Sequence, residues 1–451
     1  MYTAGIDVGT TSICILIREK ISGDAVKVVS CPNDAAIQAA HSWEQLQDPE
    51  RIIASVEELI AACAAYWPQV EGIGISCQMH GILYVDERGK HASPLYTWQD
   101  GRGDQQLETG LSYAGRLRER TGYPVSTGYG LVTHFYNVRS KMVPAQARRL
   151  CTIGDYLAMR LCGSSAPVMD ASNAASLGLF DLRNREFDRD AVNKTGIDPS
   201  ILPMLAGNDN PLVGRTGDGK PVFCAIGDNQ ASFIGAVAKA EDSLLVNVGT
   251  GSQISVYSNT YENIAGLDTR PFPGGGYLLV GASLSGGKSY ELLERFFREI
   301  CHAFTGLEMS DSALFEAMNR LAAASLEADE ALPLVGTQFY GTRHKPDAAG
   351  TITGLNALNM RPGAIIAGFL QGMTEELLAF ARLLPASRLE AVSCLVGSGN
   401  GIRRNPALQR LLQVKLGRPL LLSGVEEEAA CGAAVHAANG LMRLKADDAD
   451  S

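Results

Sequence analysis

The sequence predicts an α/β protein built from two related halves. Apolar runs of strand length alternate with longer stretches of helical periodicity, the pattern of an α/β fold. A strand–turn–strand signature at the N-terminus recurs about 240 residues later, and 451 residues exceed one ordinary domain.

The first half opens on the apolar run of residues 4–8, turns through Gly9-Thr10-Thr11-Ser12, and continues in residues 13–17, rich in isoleucine. Glycine supplies the backbone freedom of a tight turn, and β-branched flanks suit a buried sheet. Asp48-Pro49-Glu50 then reads as an N-cap with proline in the first helical turn. Ile52, Ile53, Val56, Leu59, Ile60 and Cys63 follow at helical spacing. A strand at 70–76, a polar loop at 77–81 and a strand running to Val85 come next.

The second half repeats the opening: residues 244–248, the turn Gly249-Thr250-Gly251-Ser252, then 253–257. Asp7-Val8-Gly9-Thr10-Thr11-Ser12 and Asn247-Val248-Gly249-Thr250-Gly251-Ser252 agree at four of six positions. One such recurrence points to two related domains, 1–240 and 241–451, parted at the polar 239–242. Glycine-threonine turns are also common enough for chance likeness. A helix over 363–384, a strand at 391–396, a glycine-rich loop at 397–401, a helix from Pro406, a strand at 419–422 and a helix over 426–438 close the chain. Without a long linker, the halves are expected to pack with a cleft between them.

Composition sets the class. With 46% apolar and 20% charged residues, the chain reads as soluble and globular. A formal charge of −10 argues against nucleic acid or an anionic membrane as the main partner. Ten cysteines stand singly, without metal-ligand spacing, as reduced thiols would in a cytoplasmic protein. Asp7 interrupts any signal-peptide core, and no apolar run approaches the ~20 residues of a membrane span.

Three groups of residues could do chemistry. The paired hairpins offer amides and hydroxyls to phosphate oxygens, and Asp7 at a strand end could hold Mg²⁺ through water. Gly227-Asp228-Asn229-Gln230 places a carboxylate where a helix starts. Asp228 is there either a plain N-cap or a general base taking a hydroxyl proton during phosphoryl transfer. Gln78-Met79-His80 and Trp98-Gln99-Asp100-Gly101-Arg102 follow strand-like runs, where open sheets bind ligands, and would suit a polyol. Alone, His80 would more often be a satisfied structural histidine, and Trp98 more often core. The stretch 281–289 mimics a phosphate-binding loop, but the spacing fails because Ala282 stands where the first glycine is needed.

These motifs occur in the order found in the FGGY carbohydrate kinases, and the resemblance covers essentially the whole chain. It implies two ribonuclease H-like domains of the actin/hexokinase superfamily, an N-terminal sugar-binding one and a C-terminal nucleotide-binding one, with ATP, Mg²⁺ and a sugar between them. Asp228 would be the catalytic base and Asp7 the Mg²⁺-associated carboxylate. Gln78, Met79, His80, Asp100 and Asn229 would line the sugar site; Thr10, Thr11, Gly249 and Thr250 would face phosphates; Gly281, Gly399 and Asn405 would lie near the adenosine. Homo-oligomer formation is left open.

The chain departs from the family's signatures where a lysine is expected near Leu131-Val132-Thr133 and a polar residue near Ala364. Residues 126–130, 155–157, 161–163, 172–176 and 282–287 instead resemble sedoheptulokinases. This favours sedoheptulose phosphorylated at O7, with Tyr129, Ser172 and Asn173 as added contacts to the longer sugar. The rivals are a kinase of a shorter ketose such as xylulose, an actin-like scaffold ATPase, and a non-catalytic sugar-sensing protein, which would tolerate loss of Asp7 or Asp228 though both are present.

Overall fold

The computed structural model describes every residue except 108, 109, 209, 329, 342–344, 346, 450 and 451, and the side chains of 447–449. Two compact units divide the chain. The first comprises Met1–Ala236, Arg270–Tyr277 and Glu427–Ser451; the second comprises Val237–Thr269 and Leu278–Glu426. The break after Ala236 falls close to the expected residue 240. The C-terminal segment, assigned above to the second domain, instead returns to the first.

In the first unit, β1 (Tyr2–Val8), β2 (Ser12–Glu19), β3 (Ala25–Pro32), β4 (Val70–Cys77), β5 (Leu212–Arg215) and β6 (Pro221–Phe223) form a sheet in the order β5-β6-β4-β1-β2-β3. The short β7 (Ile226–Gly227) also pairs with β4. β1 runs antiparallel to β2 and parallel to β4. Period-2 alternation sends Ala4, Ile6 and Val8 to one face, where they join Ile52, Ile53, Val56 and Leu59 of helix α1 (Pro49–Ala62) in a buried core. Asp48 caps α1 as expected, its carboxylate accepting from the Glu50 and Arg51 amides.

The opposite face carries Gly5, Gly72 and Gly74, and the C-terminal helix (Glu428–Ala449) lies on it. A Cβ at Gly5 would fall 1.8 Å from the Ala430 carbonyl oxygen, and one at Gly74 would fall 1.9 Å from that of Ala433. This backbone-to-backbone fit is what draws the last helix into the first unit. Two more helices of this unit, α2 (Gly130–Arg139) and α3 (Ala171–Leu177), precede α4 (Asp228–Ala236). The C-terminal helix also pins α4, because Gly235 and Gly432 each sit where a Cβ would strike the other helix's backbone.

The second unit repeats the plan. β8 (Ser243–Val248), β9 (Ser252–Ser258), β10 (Asp268–Pro271), β11 (Tyr277–Ser283), β12 (Cys394–Ser398) and β13 (Leu420–Leu422) are ordered β10-β11-β9-β8-β12-β13, with Arg270, Pro271 and Tyr277 counted in the first unit. β8 is antiparallel to β9 and parallel to β12, as β1 is to β2 and β4. The recurrence seen in the sequence is therefore a duplicated hairpin beside a parallel strand. Helices α5 (Gly286–Thr305), α6 (Pro362–Ala381) and α7 (Pro406–Leu416) complete the part that matters here. Among the described residues, α6 alone is long and apolar enough to cross a membrane. Ile366, Phe369, Leu370, Met373 and Leu377 bury it in the second core instead. The strand expected at 391–396 begins only at Cys394, because Ala386–Ala391 is a helix.

The glycine contacts yield a stability test. Gly5→Ala should destabilise the protein by about 2 kcal/mol or more, since backbone on both sides cannot yield. Gly207→Ala, with nothing within 4 Å of its Cβ position, should leave the urea midpoint near the parent value. Equal midpoints for the two variants would show that the helix does not pack as described.

Candidate active site

Parallel register gathers the first site. Asp7 pairs with Ser76 and Val8 with Cys77 between β1 and β4; Ile226 pairs with Ser76 and Gly227 with Cys77 between β7 and β4. Three strands thus end at one edge, where Asp7, Gln78 and Asp228 emerge, the edge at which open α/β sheets hold ligands. Asp7 points to the same face as Gly5, and the C-terminal helix begins on that face beside it. Asp228 is the first residue of α4, directly after β7.

Both carboxyls are poised to bind protons. Burial lifts Asp7 to about 7, the negative charge of Asp228 adds to the rise, Ser76 opposes it and Glu427 contributes further. Burial lifts Asp228 to about 6, while the Asn229 amide and the Arg270 charge pull it down. Asp7 Oδ1, Asn229 Oδ1 and Gln230 Oε1 are buried acceptors without a hydrogen-bond partner among the described residues. Buried polar atoms are normally satisfied, so a cluster of such acceptors marks a place for donors or a cation. No group of three or more His, Cys, Asp or Glu among the described residues forms a metal cage. Mg²⁺ needs only one or two carboxylates besides water and phosphate oxygens, so Asp7 fits it.

The polar loops assemble around this edge. Gln78 is buried; its Nε2 donates to Gln47 Oε1 (2.9 Å), and its Oε1 accepts from Thr10 Oγ1 (3.2 Å). Thr10 Oγ1 also accepts from Trp98 Nε1 (2.9 Å), leaving the tryptophan ring partly exposed. The Thr10 hydroxyl is thus engaged within the first unit, and Thr11 is the exposed hairpin threonine. Met79 lies against Gly227, where a Cβ would come 2.8 Å from its Sδ. His80 adopts a left-handed backbone (φ 72°) and stacks on Tyr129 at 4.6 Å.

Some expected residues have other work. Asp100 is fully buried; Arg102 Nη2 (3.1 Å) and the Gln45 amide (3.1 Å) hold its Oδ2, while Arg102 Nε holds Oδ1. Asp100 thereby organises its own loop. Ser172 accepts from the Gly227 amide (3.1 Å) and Asn173 Nδ2 donates to the Ala225 carbonyl (2.9 Å), bracing the strand that ends just before Asp228. Leu131, Val132 and Ala364, where the family's polar signatures are missing, are core residues. Gln47 and Asn33, whose Nδ2 donates to the Gly9 carbonyl (2.8 Å), support the site without any local sequence signal.

In the second unit, Asn247 stands where Asp7 stands in the first, and its Nδ2 donates to Ser398 Oγ (2.7 Å). Gly399 (φ 84°) allows its loop to approach the Val248 carbonyl, where a Cβ would lie at 2.6 Å. Gly249, Thr250 and Gly399 are thereby brought together. At Gly281 a Cβ would meet Phe380 at 2.4 Å, so this glycine serves the close contact with α6. Asn405 caps α7, its Oδ1 accepting from the Leu408 amide (3.0 Å). The false phosphate loop is also resolved. The Gly287 and Lys288 amides donate to the Gly249 and Thr250 carbonyls (3.0 and 2.9 Å), binding the start of α5 to the hairpin.

The Asp7 environment gives a pH test. Its pKa stands above the ordinary carboxylate value, so the folded protein gains stability below pH 4 from protonating it and loses that gain as pH rises through about 7. Without nucleotide or Mg²⁺, Asp7→Asn should raise Tm at pH 8, by the equivalent of about 1–2 kcal/mol after solvent screening, and the gain should fade by pH 4. A variant less stable than the parent at pH 8 would contradict this electrostatic account.

Comparison with known proteins places the chain in a family. The model described as FGGY family of carbohydrate kinases, N-terminal domain, matches residues 2–235. A human protein named sedoheptulokinase is 30% identical over 481 residues, covering 96% of each chain. The structure of xylulose kinase from Rhodospirillum rubrum superposes with a TM-score of 0.80 at 22% identity, covering 99% of this chain and 91% of that one. Plasmodium falciparum glycerol kinase with ADP superposes at 0.79 and 17% identity, covering 99% and 90%. These two structures share the fold. The chain belongs to the FGGY family of carbohydrate kinases, and its activity is ATP-dependent phosphorylation of a sugar.

Proposed function

We propose that this enzyme phosphorylates sedoheptulose at O7, with the first unit binding the sugar, the second binding ATP, and Mg²⁺ accompanying the nucleotide. The observation that carries the reaction is the Asp228 carboxylate, at the head of α4 and beside Asp7, with a pKa near 6. The likeness to a sedoheptulokinase over 96% of both chains supports the choice of sugar. Ten free thiols suit a reducing compartment, and the cytoplasm is the proposed setting.

In this reading Asp228 accepts the O7 proton as that oxygen attacks the γ-phosphorus and the bond to the β-phosphate bridging oxygen breaks, leaving ADP. A base with a pKa near 6 is ionised at neutral pH yet still basic enough to share a proton in the transition state. Mg²⁺, when bound, would neutralise phosphate charge, and Asp7 would hold it through water. Asn229 would accept a hydrogen bond from the sugar at its orphaned Oδ1. Met79 would give the chain of carbons an apolar wall, and Gln78, locked by Gln47 and Thr10, would shape the floor.

An ADP-release assay over sedoheptulose, xylulose, ribulose, fructose and glycerol should give its highest kcat/KM with sedoheptulose. A higher value for a five-carbon ketose would overturn the choice of sugar, and sugar-independent ATP hydrolysis would favour a scaffold ATPase. Asp228→Ala should lower kcat by about 10²–10⁴-fold while sugar binding persists. The parent enzyme should lose kcat/KM as pH falls through about 6, where Asp228 takes up its proton. Retained turnover in the variant, or a flat profile between pH 5 and 7, would remove Asp228 as the base.

A further inference from the structure

His80 is held in a backbone conformation that a non-glycine residue rarely adopts, φ 72°. Such strain persists only where surrounding contacts over-determine it, and it concentrates at functional sites. Two of those contacts come from one residue. The His80 amide donates to Ser176 Oγ (3.0 Å), and His80 Nδ1 lies 2.6 Å from the Ser176 carbonyl oxygen. A carbonyl only accepts, so Nδ1 carries a proton and donates it to Ser176. Ser176 is itself buried and oriented, its hydroxyl donating to the Asn173 carbonyl (2.7 Å). Tyr129 covers one face of the imidazole, its ring 27° from parallel.

Ser172 lies one helical turn earlier on α3. It is buried, bonds Asp170 through its hydroxyl, and accepts the amide of Gly227, the residue before Asp228. Residues four apart share one face of a helix, about 6 Å apart along its axis. The next turnward anchor, Asn173, ties the same helix to the Ala225 carbonyl. One short helix therefore grips the catalytic strand end at its start and the His80 loop at its end.

We infer that Ser172 and Ser176 are positioning residues, and that α3 is a spacer setting the distance between the catalytic base and His80. This rests on the proposed reading of Asp228 as base and His80 as a sugar ligand. The helix adds what neither residue supplies alone, a fixed separation between the hydroxyl that reacts and a hydroxyl read further along the sugar. The two serines act on different steps: Ser176 on recognition through His80, and Ser172 on chemistry through Gly227 and Asp228.

Steady-state kinetics of single variants test the division. Ser176→Ala should raise the sugar KM about tenfold with kcat and the KM for ATP nearly unchanged; Ser172→Ala should lower kcat about tenfold with little change in sugar KM. Ser176→Thr and Ser172→Thr, which keep the hydroxyl, should recover most of each loss, and Ser176→Cys replaces the alanine variant if that fails to fold. His80→Ala supplies the control. An unchanged sugar KM in His80→Ala would overturn the reading of the sugar site itself. A raised KM in His80→Ala beside an unchanged Ser176→Ala, or serine variants that shift kcat and KM in the same proportion, would overturn the spacer alone.

Discussion

The parallel register of β1, β4 and β7 is the constraint on which the rest depends. Because Asp7, Cys77 and Gly227 are tied to neighbouring rungs, the three strands finish together, and each chain continues outward from the same edge. Two carboxylates are thereby held close enough for the charge of one to raise the proton affinity of the other. A shift of one strand by a single residue would turn Asp7 to the opposite face, into the packing against α1. Register, more than any individual side chain, makes the site.

That register is protected from behind. The C-terminal helix meets the sheet at Gly5 and Gly74 and meets α4 at Gly235 and Gly432, contacts so short that any Cβ would collide with backbone. Interiors packed this closely do not deform by small amounts, so β1, β4 and the head of α4 form one rigid body. The burial that lifts Asp7 and Asp228 above ordinary carboxylates follows from the same packing. Stability is thus spent at the site, with the apolar core around α1 offsetting the cost of two carboxylates held out of water.

The duplicated backbone carries different side chains at one matched position. Both units set an antiparallel hairpin beside a parallel strand, but the equivalent position is Asp7 in one and Asn247 in the other. A carboxylate suits a cation, whereas an amide bonded to Ser398 suits a loop that must lie close to the hairpin. The same backbone thus presents charge in the first unit and a neutral, glycine-lined surface in the second. The start of α5, with its amides already bonded to the second hairpin, stiffens that surface.

Local sequence determined the α/β class, the two hairpins, the cap at Asp48 and the places where Asp7, Gln78 and Asp228 leave their strands. These follow from period-2 patterning, turn residues and capping chemistry, all of which act over a few residues. Only the tertiary structure decided that the last helix belongs to the first unit, because that rests on glycines far apart in sequence. It also decided that Asp100 pairs with Arg102, that Gly281 and Asn405 serve packing and capping, and that Gln47, Asn33 and Ser176 support the site. A buried aspartate, a glycine or a serine has the same identity whether it binds a ligand or braces a loop. The partner that settles the matter is reached only when the chain has folded.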